Sequence, residues 1–127
     1  MLITHNLSYK LGSYPKSINA SSLNDWFNSE KDDPVLIDVR EHSELEIARF
    51  SKEFIHIPIS KVTSEYVGEI FAGLLDREIV VTCHAGIRSY NFSQWCLDKI
   101  LWAKYGIWRR ALMDGVDILT HQSQGID

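Results

Sequence analysis

Two cysteines in 127 residues are too few for a disulfide scaffold, so an ordinary apolar core has to hold the fold. No apolar run nears the ~20 residues that a membrane-spanning helix needs. The opening stretch, Met1-Leu2-Ile3-Thr4-His5-Asn6, lacks the basic start and apolar centre of an export signal. The chain therefore reads as soluble, unexported and cytoplasmic, a reducing setting that leaves thiols free for chemistry. Basic blocks are missing too. With 17 acidic against 13 basic residues the net charge is -4, which offers neither nucleic acid nor a membrane surface an electrostatic foothold. The five histidines are scattered, without helical pairing or a Cys-x-x-Cys companion, so no metal and no other cofactor is expected. What is present, 45% apolar and 24% charged residues, suits one globular domain.

The pattern along the chain alternates between strand and helix signals. Residues 1–16 are mixed, with turn formers at Gly12, Ser13 and Pro15, and read as an N-terminal arm before a domain at 17–127. Ser21 and Ser22 precede Leu23, Trp26 and Phe27 at helical spacing, which predicts a serine-capped helix with Asp25 in its first turn. Asp33-Pro34 then breaks the chain before Val35-Leu36-Ile37-Asp38-Val39, a β-branched run that predicts a strand buried on both faces. A short helix over 41–48 and a strand over 54–57, stopped by Pro58, follow. Val67, Ile70, Phe71 and Leu74 form one helical stripe within 62–75.

Ile79-Val80-Val81-Thr82 predicts the next buried strand, and Phe92, Cys96, Ile100 and Ala103 line one face of the helix after it. Lys104-Tyr105-Gly106 is expected to end that helix, with a last strand over 107–112 and a closing helix over 116–121. This alternation predicts an α/β fold with an open, mostly parallel sheet flanked by helices on both faces. Ligands of such sheets lie beyond the carboxyl ends of the strands, where Asp38 and Cys83 both fall.

Chemistry concentrates in Cys83-His84-Ala85-Gly86-Ile87-Arg88-Ser89, between that strand and that helix. A loop feeding a helix directs backbone N–H groups and the positive end of the helix dipole at whatever occupies the bend. Here the occupant is sulfur, and thiols at helix N-termini or beside cations are acidified toward the nucleophilic thiolate. Arg88 is a candidate cation, Gly86 suits positive φ or close quarters, and Ser89 suits the helix start. The competing reading makes Cys83 a small buried hydrophobe, but it leaves the Gly, Arg and Ser at fixed offsets unexplained.

Four segments in order, Asp38-Val39-Arg40-Glu41, Ile55-His56-Ile57-Pro58, the Cys83 loop and Asp114-Gly115-Val116-Asp117, resemble the single-domain rhodanese family of sulfurtransferases. The resemblance implies a parallel sheet of about five strands and a loop that cradles a cysteine persulfide. Cys83 would be the sulfur-carrying nucleophile. The amides of His84, Ala85, Gly86, Ile87, Arg88 and Ser89 would hold the sulfur atoms, and Arg88 would orient an anionic donor. Asp38 and Arg40 would support the loop from the neighbouring strand. Two boxes depart from the family. Ala48-Arg49-Phe50-Ser51-Lys52-Glu53 stands where the family has Gly-His-Ile-Pro-Gly-Ala, and Asp114-Gly115-Val116-Asp117-Ile118-Leu119 lacks the customary glycine pair and tryptophan.

The implied reaction moves a sulfane sulfur from a small donor such as thiosulfate or a persulfide, through Cys83, to a thiol or cyanide-like acceptor or a sulfur-carrier protein. Two alternatives stay open. One is a non-catalytic rhodanese-like module that binds a protein partner. The other is a cysteine phosphatase or arsenate reductase, disfavoured because the four residues between Cys83 and Arg88 are one fewer than the phosphatase signature has. Cys96 reads as core rather than a resolving thiol, since it lies too far along the helix to reach Cys83. Trp95, Trp102 and Trp108 read as core or its margin, and Arg109-Arg110 as a solvated pair.

Overall fold

The computed structural model describes residues 16–84, 86–103 and 112–116. Strands β1 (Lys16–Ile18), β2 (Val35–Asp38), β3 (Ile55–His56), β4 (Ile79–Cys83) and β5 (Leu112–Val116) form one sheet in the order β1-β5-β4-β2-β3. Every pairing in it is parallel. Helices α1 (Ala20–Phe27), α2 (His42–Leu45), α3 (Ser64–Ala72) and α4 (Ile87–Trp95) connect the strands, and α4 continues as a π-helical segment over Cys96–Trp102. The expected α/β class is met. No helix among the described residues is long and apolar enough to cross a membrane.

Side chains alternate across the sheet, and the two buried clusters separate by that alternation. Ile37, Val39, Ile79, Val81 and Cys83 pack with Val67 and Phe71 of α3 and with Phe92, Cys96 and Ile100 of α4 and its extension. Leu36 and Val80 face the other way, against Leu23 of α1 and Phe50. The sheet is therefore covered on both faces, which is why β2 and β4 read as continuous apolar runs. Val67 and Phe71 are fully buried on the predicted stripe of α3, while Ile70 and Leu74 are its partly buried margin.

Several local expectations are corrected. The cap of α1 is Asn19, whose side chain accepts the Ser22 N–H at 2.8 Å, so Ser22 is inside the helix. The short helix contracts to His42–Leu45 behind Glu41, and a turn of 3-10 helix at Ile59–Lys61 precedes α3, which Thr63 caps. Ala103 is exposed rather than on the buried face. The described residues carry a strand at Leu112–Val116, which overlaps the expected 107–112 run at Leu112 alone, residues 107–111 lying outside them, so the closing helix cannot begin at Val116. Lys16 belongs to a strand, not to an arm. Residues 1–15, the Lys104-Tyr105-Gly106 stop, Trp108, Arg109-Arg110 and the remainder of the closing helix lie outside the described residues.

From β2 the chain steps outward to β3, and from β4 it steps the opposite way to β5. The reversal point falls between β2 and β4, and in open parallel sheets ligands bind at such a point, beyond the carboxyl ends of the strands. Cys83 is the last residue of β4 and Asp38 the last of β2.

Candidate active site

β4 delivers Cys83 to the top of the sheet, and the chain turns through His84 and Gly86 into α4. Gly86 has φ 87°, in the left-handed region that a residue with a Cβ enters at a cost. That turn folds the loop back over the sulfur. The Gly86 N–H donates to Cys83 Sγ at 3.0 Å and the Ser89 N–H at 3.3 Å. The Ser89 hydroxyl lies 3.4 Å from the same sulfur and donates to the Gly86 carbonyl at 3.3 Å. Two backbone N–H donors at the start of α4 thus converge on one atom.

The predicted cradle is narrower than the sequence implied. Among the described residues, the amides of Gly86 and Ser89 are the ones that reach the sulfur. Ala85 lies outside the described residues, and His84 is exposed at the edge of the loop. Ile87 opens α4 with 69% of its surface exposed. Cys83 itself is 1% exposed and belongs to the core cluster, so the loop covers the sulfur as well as solvating it.

Arg88 does not contact the sulfur. Its guanidinium grips Glu44 of α2, with Nη1 donating to Oε1 at 2.7 Å and Nη2 to Oε2 at 2.8 Å. The fork matches the carboxylate, the geometry that makes such pairs strong. Arg88's hydrogen bonds hold the Glu44 carboxyl at about 2 against a usual 4.5, with the Glu41 N–H assisting and burial opposing. Reciprocally, Glu44 raises the pKa of Arg88, to which the Cys83 sulfur and Glu41 add smaller pulls. The cation expected to face an anionic donor therefore already has a partner.

Asp38 and Arg40 pair at the end of the neighbouring strand, and among the described residues their onward side-chain hydrogen bonds run to residues 44–48 rather than to the Cys83 loop. Asp38 pairs with Thr82 across the parallel ladder, so its side chain leaves the sheet on the face opposite Cys83. It is fully buried and accepts the Arg40 N–H at 2.9 Å and the Arg40 side chain at 3.2 Å. Arg40 then donates onward to the carbonyls of Glu44 and Ala48, which ties residues 44–48 to the strand end. The His56 ring shares a 2.6 Å hydrogen bond with the Arg40 carbonyl.

Sequence reasoning missed Glu44 and Glu41. Their spacing carried one usable signal, an acidic capping box, in which Glu44 Oε1 accepts the Glu41 N–H at 2.9 Å. Nothing local announced the bond to Arg88. Cys96 sits where expected, fully buried, and burial pushes its thiol pKa well up. Among the described residues no group of His, Cys, Asp and Glu is placed to hold a metal ion. A cleft of about 540 Å³ lies at the other end of the sheet, lined by Phe27, Asp33, Lys52, Phe54 and Arg77. Lys52 there stacks over Phe27 and Arg77 bonds the Asp33 carbonyl, so no nucleophile is prepared in it. Chemistry, not size, makes the Cys83 loop the candidate site.

No family model matches the sequence, and no curated protein matches it. Among solved structures the fold is similar to the solution structure of protein hp1203 from Helicobacter pylori 26695, with a TM-score of 0.55 and 17% sequence identity. That similarity covers 84% of this chain and 90% of the other, and at such identity it speaks to the fold alone.

Proposed function

We propose that this protein is a rhodanese-like sulfurtransferase that carries a sulfane sulfur on Cys83. The observation that carries the reading is the pair of backbone N–H groups from Gly86 and Ser89 directed at Cys83 Sγ, 3.0 and 3.3 Å away. Main-chain donors fixed by a helix start need no reorganisation when charge develops, which is what stabilises a thiolate or a persulfide anion. The thiolate attacks the outer sulfur of a donor, the remainder of the donor departs with the bonding electron pair, and an acceptor thiol or cyanide-like nucleophile later removes the sulfur. No step calls for a metal or cofactor. Because Cys83 is 1% exposed, transfer requires the loop to lift from the sulfur.

The burial of Cys83 in the core cluster favours one second reading, a non-catalytic binding module of the same fold. One experiment separates the two. The purified protein is incubated with thiosulfate or a low-molecular-weight persulfide and its mass measured, then the Cys83 peptide is mapped. A gain of one sulfur on that peptide, absent in Cys83→Ser and removed by cyanide, supports the transferase. No gain with any donor supports the binding module.

A further inference from the structure

Resting on the sulfurtransferase reading, we infer that the Cys83 site selects donors carrying at most one negative charge at the sulfane end, such as persulfides, and disfavours the thiosulfate dianion. The reason is the occupancy of Arg88. Both terminal guanidinium nitrogens of Arg88 donate to Glu44, at 2.7 and 2.8 Å. Glu41 stands one helical turn from Glu44 and is anchored there, its carboxylate accepting from the Ser60 hydroxyl at 2.6 Å and the Ser60 N–H at 3.2 Å. Two carboxylates thus act on one cation, Glu44 by direct hydrogen bonds and Glu41 by a weaker electrostatic pull. A dianion approaching a thiolate there meets net repulsion, whereas a persulfide adds little charge. Two exposed side chains near the pair in the chain are apolar, Ile87 next to Arg88 at 69% and Ile47, whose N–H bonds the Glu44 carbonyl, at 81% exposure, among the exposed polar His42, Ser43, Glu46 and His84. The two isoleucines suit the carbon body of a persulfide better than sulfonate oxygens.

The transfer balances without a further reagent. Cys83–S⁻ and R–S–SH give Cys83–S–SH and R–S⁻, as the new S–S bond forms, the donor S–S bond breaks and the leaving thiolate takes the electron pair. Glu44→Gln is the informative variant. It keeps an oxygen for the Glu41 N–H and the shape of the helix, and it frees the Arg88 charge.

The test measures the rate of sulfur gain on Cys83 from thiosulfate, from the methanethiosulfonate monoanion and from cysteine persulfide, in wild type and Glu44→Gln. The thiosulfate rate should rise roughly tenfold or more in the variant while the other two change far less. In the wild type the thiosulfate rate should also increase with added salt, because screening relieves repulsion. That arm needs no variant. A wild-type preference for thiosulfate that falls with salt, or a thiosulfate rate unmoved in a folded Glu44→Gln protein, overturns the inference and leaves the transferase reading standing. No sulfur on Cys83 from any of the three donors overturns both.

Discussion

Arg88 and Glu44, 44 residues apart in the chain, are joined by two parallel hydrogen bonds of 2.7 and 2.8 Å that tie the start of α4 to α2. Each side chain is about one-third exposed, so solvent screens the pair and its worth is modest, about 1 kcal/mol. The carboxyl pKa falls from 4.5 to about 2 on folding, so the stabilisation is complete above 4.5 and is lost as pH drops toward 2. Glu44→Gln should therefore lower the urea midpoint at neutral pH, and the gap to wild type should close on acidification through that window. A gap that is constant with pH would show that the pair contributes nothing through its charge.

Gly86 supplies a second test, because its φ of 87° and its N–H to Cys83 Sγ belong to the same turn. Gly86→Ala should cost about 1–2 kcal/mol in stability, since a Cβ disfavours the left-handed region. It should also slow sulfur gain on Cys83 by about tenfold, because a misaligned amide no longer stabilises the sulfur anion. Gly73→Ala is the control. Among the described residues an added Cβ there would meet the Ile70 carbonyl oxygen alone, at an ordinary 3.8 Å, so stability should hold or rise slightly and sulfur transfer should not change. Equal losses in both variants would mean that Gly86 has no special role.

These two sites differ in how legible they were. The Cys83 loop, β2, β4 and the stripe of α3 announced themselves because burial on both sheet faces, or on one helix face, leaves a local apolar pattern. β5 did not, since Asp114-Gly115 has the composition of a turn, and it is pairing with β4 on one side and β1 on the other that makes it a strand. β1 is too short, at three residues, to show a period. The Glu44–Arg88 bond was unreadable for a related reason. Neither residue has a local feature that names its partner, and only the strand order brings α2 beside the loop.

Asp38 and Arg40 form a pair with 0% and 4% of their surfaces exposed, so losing one member strands the other in a dry interior. Asp38→Asn should destabilise by about 3–5 kcal/mol. Arg40 also holds the carbonyls of Glu44 and Ala48, so the amides of Ile47 and Ala48, both bonded to the Glu44 carbonyl, should exchange with deuterium faster than the sheet does. Uniformly faster exchange would mean that the pair supports the fold as a whole and not residues 44–48.

Cys83 and Cys96 are both free and buried, yet they are buried in different ways. Cys83 lies under a short loop held to it by two amide bonds, so lifting that loop leaves the sheet intact. Cys96 lies where α4 passes into its π-helical extension, packed against the sheet, with its thiol pKa raised by burial, so exposing it means removing a helix from the core. Local opening costs less than global unfolding and does not depend on denaturant in the same way. With iodoacetamide in native buffer, the Cys83 peptide should therefore be alkylated at least roughly a hundredfold faster than the Cys96 peptide. Low urea should leave the Cys83 rate nearly flat while the Cys96 rate climbs with the full slope of unfolding. If the two rates instead climb together, Cys83 is reached only when the domain unfolds, and the sulfur-transfer reading gives way to the binding module.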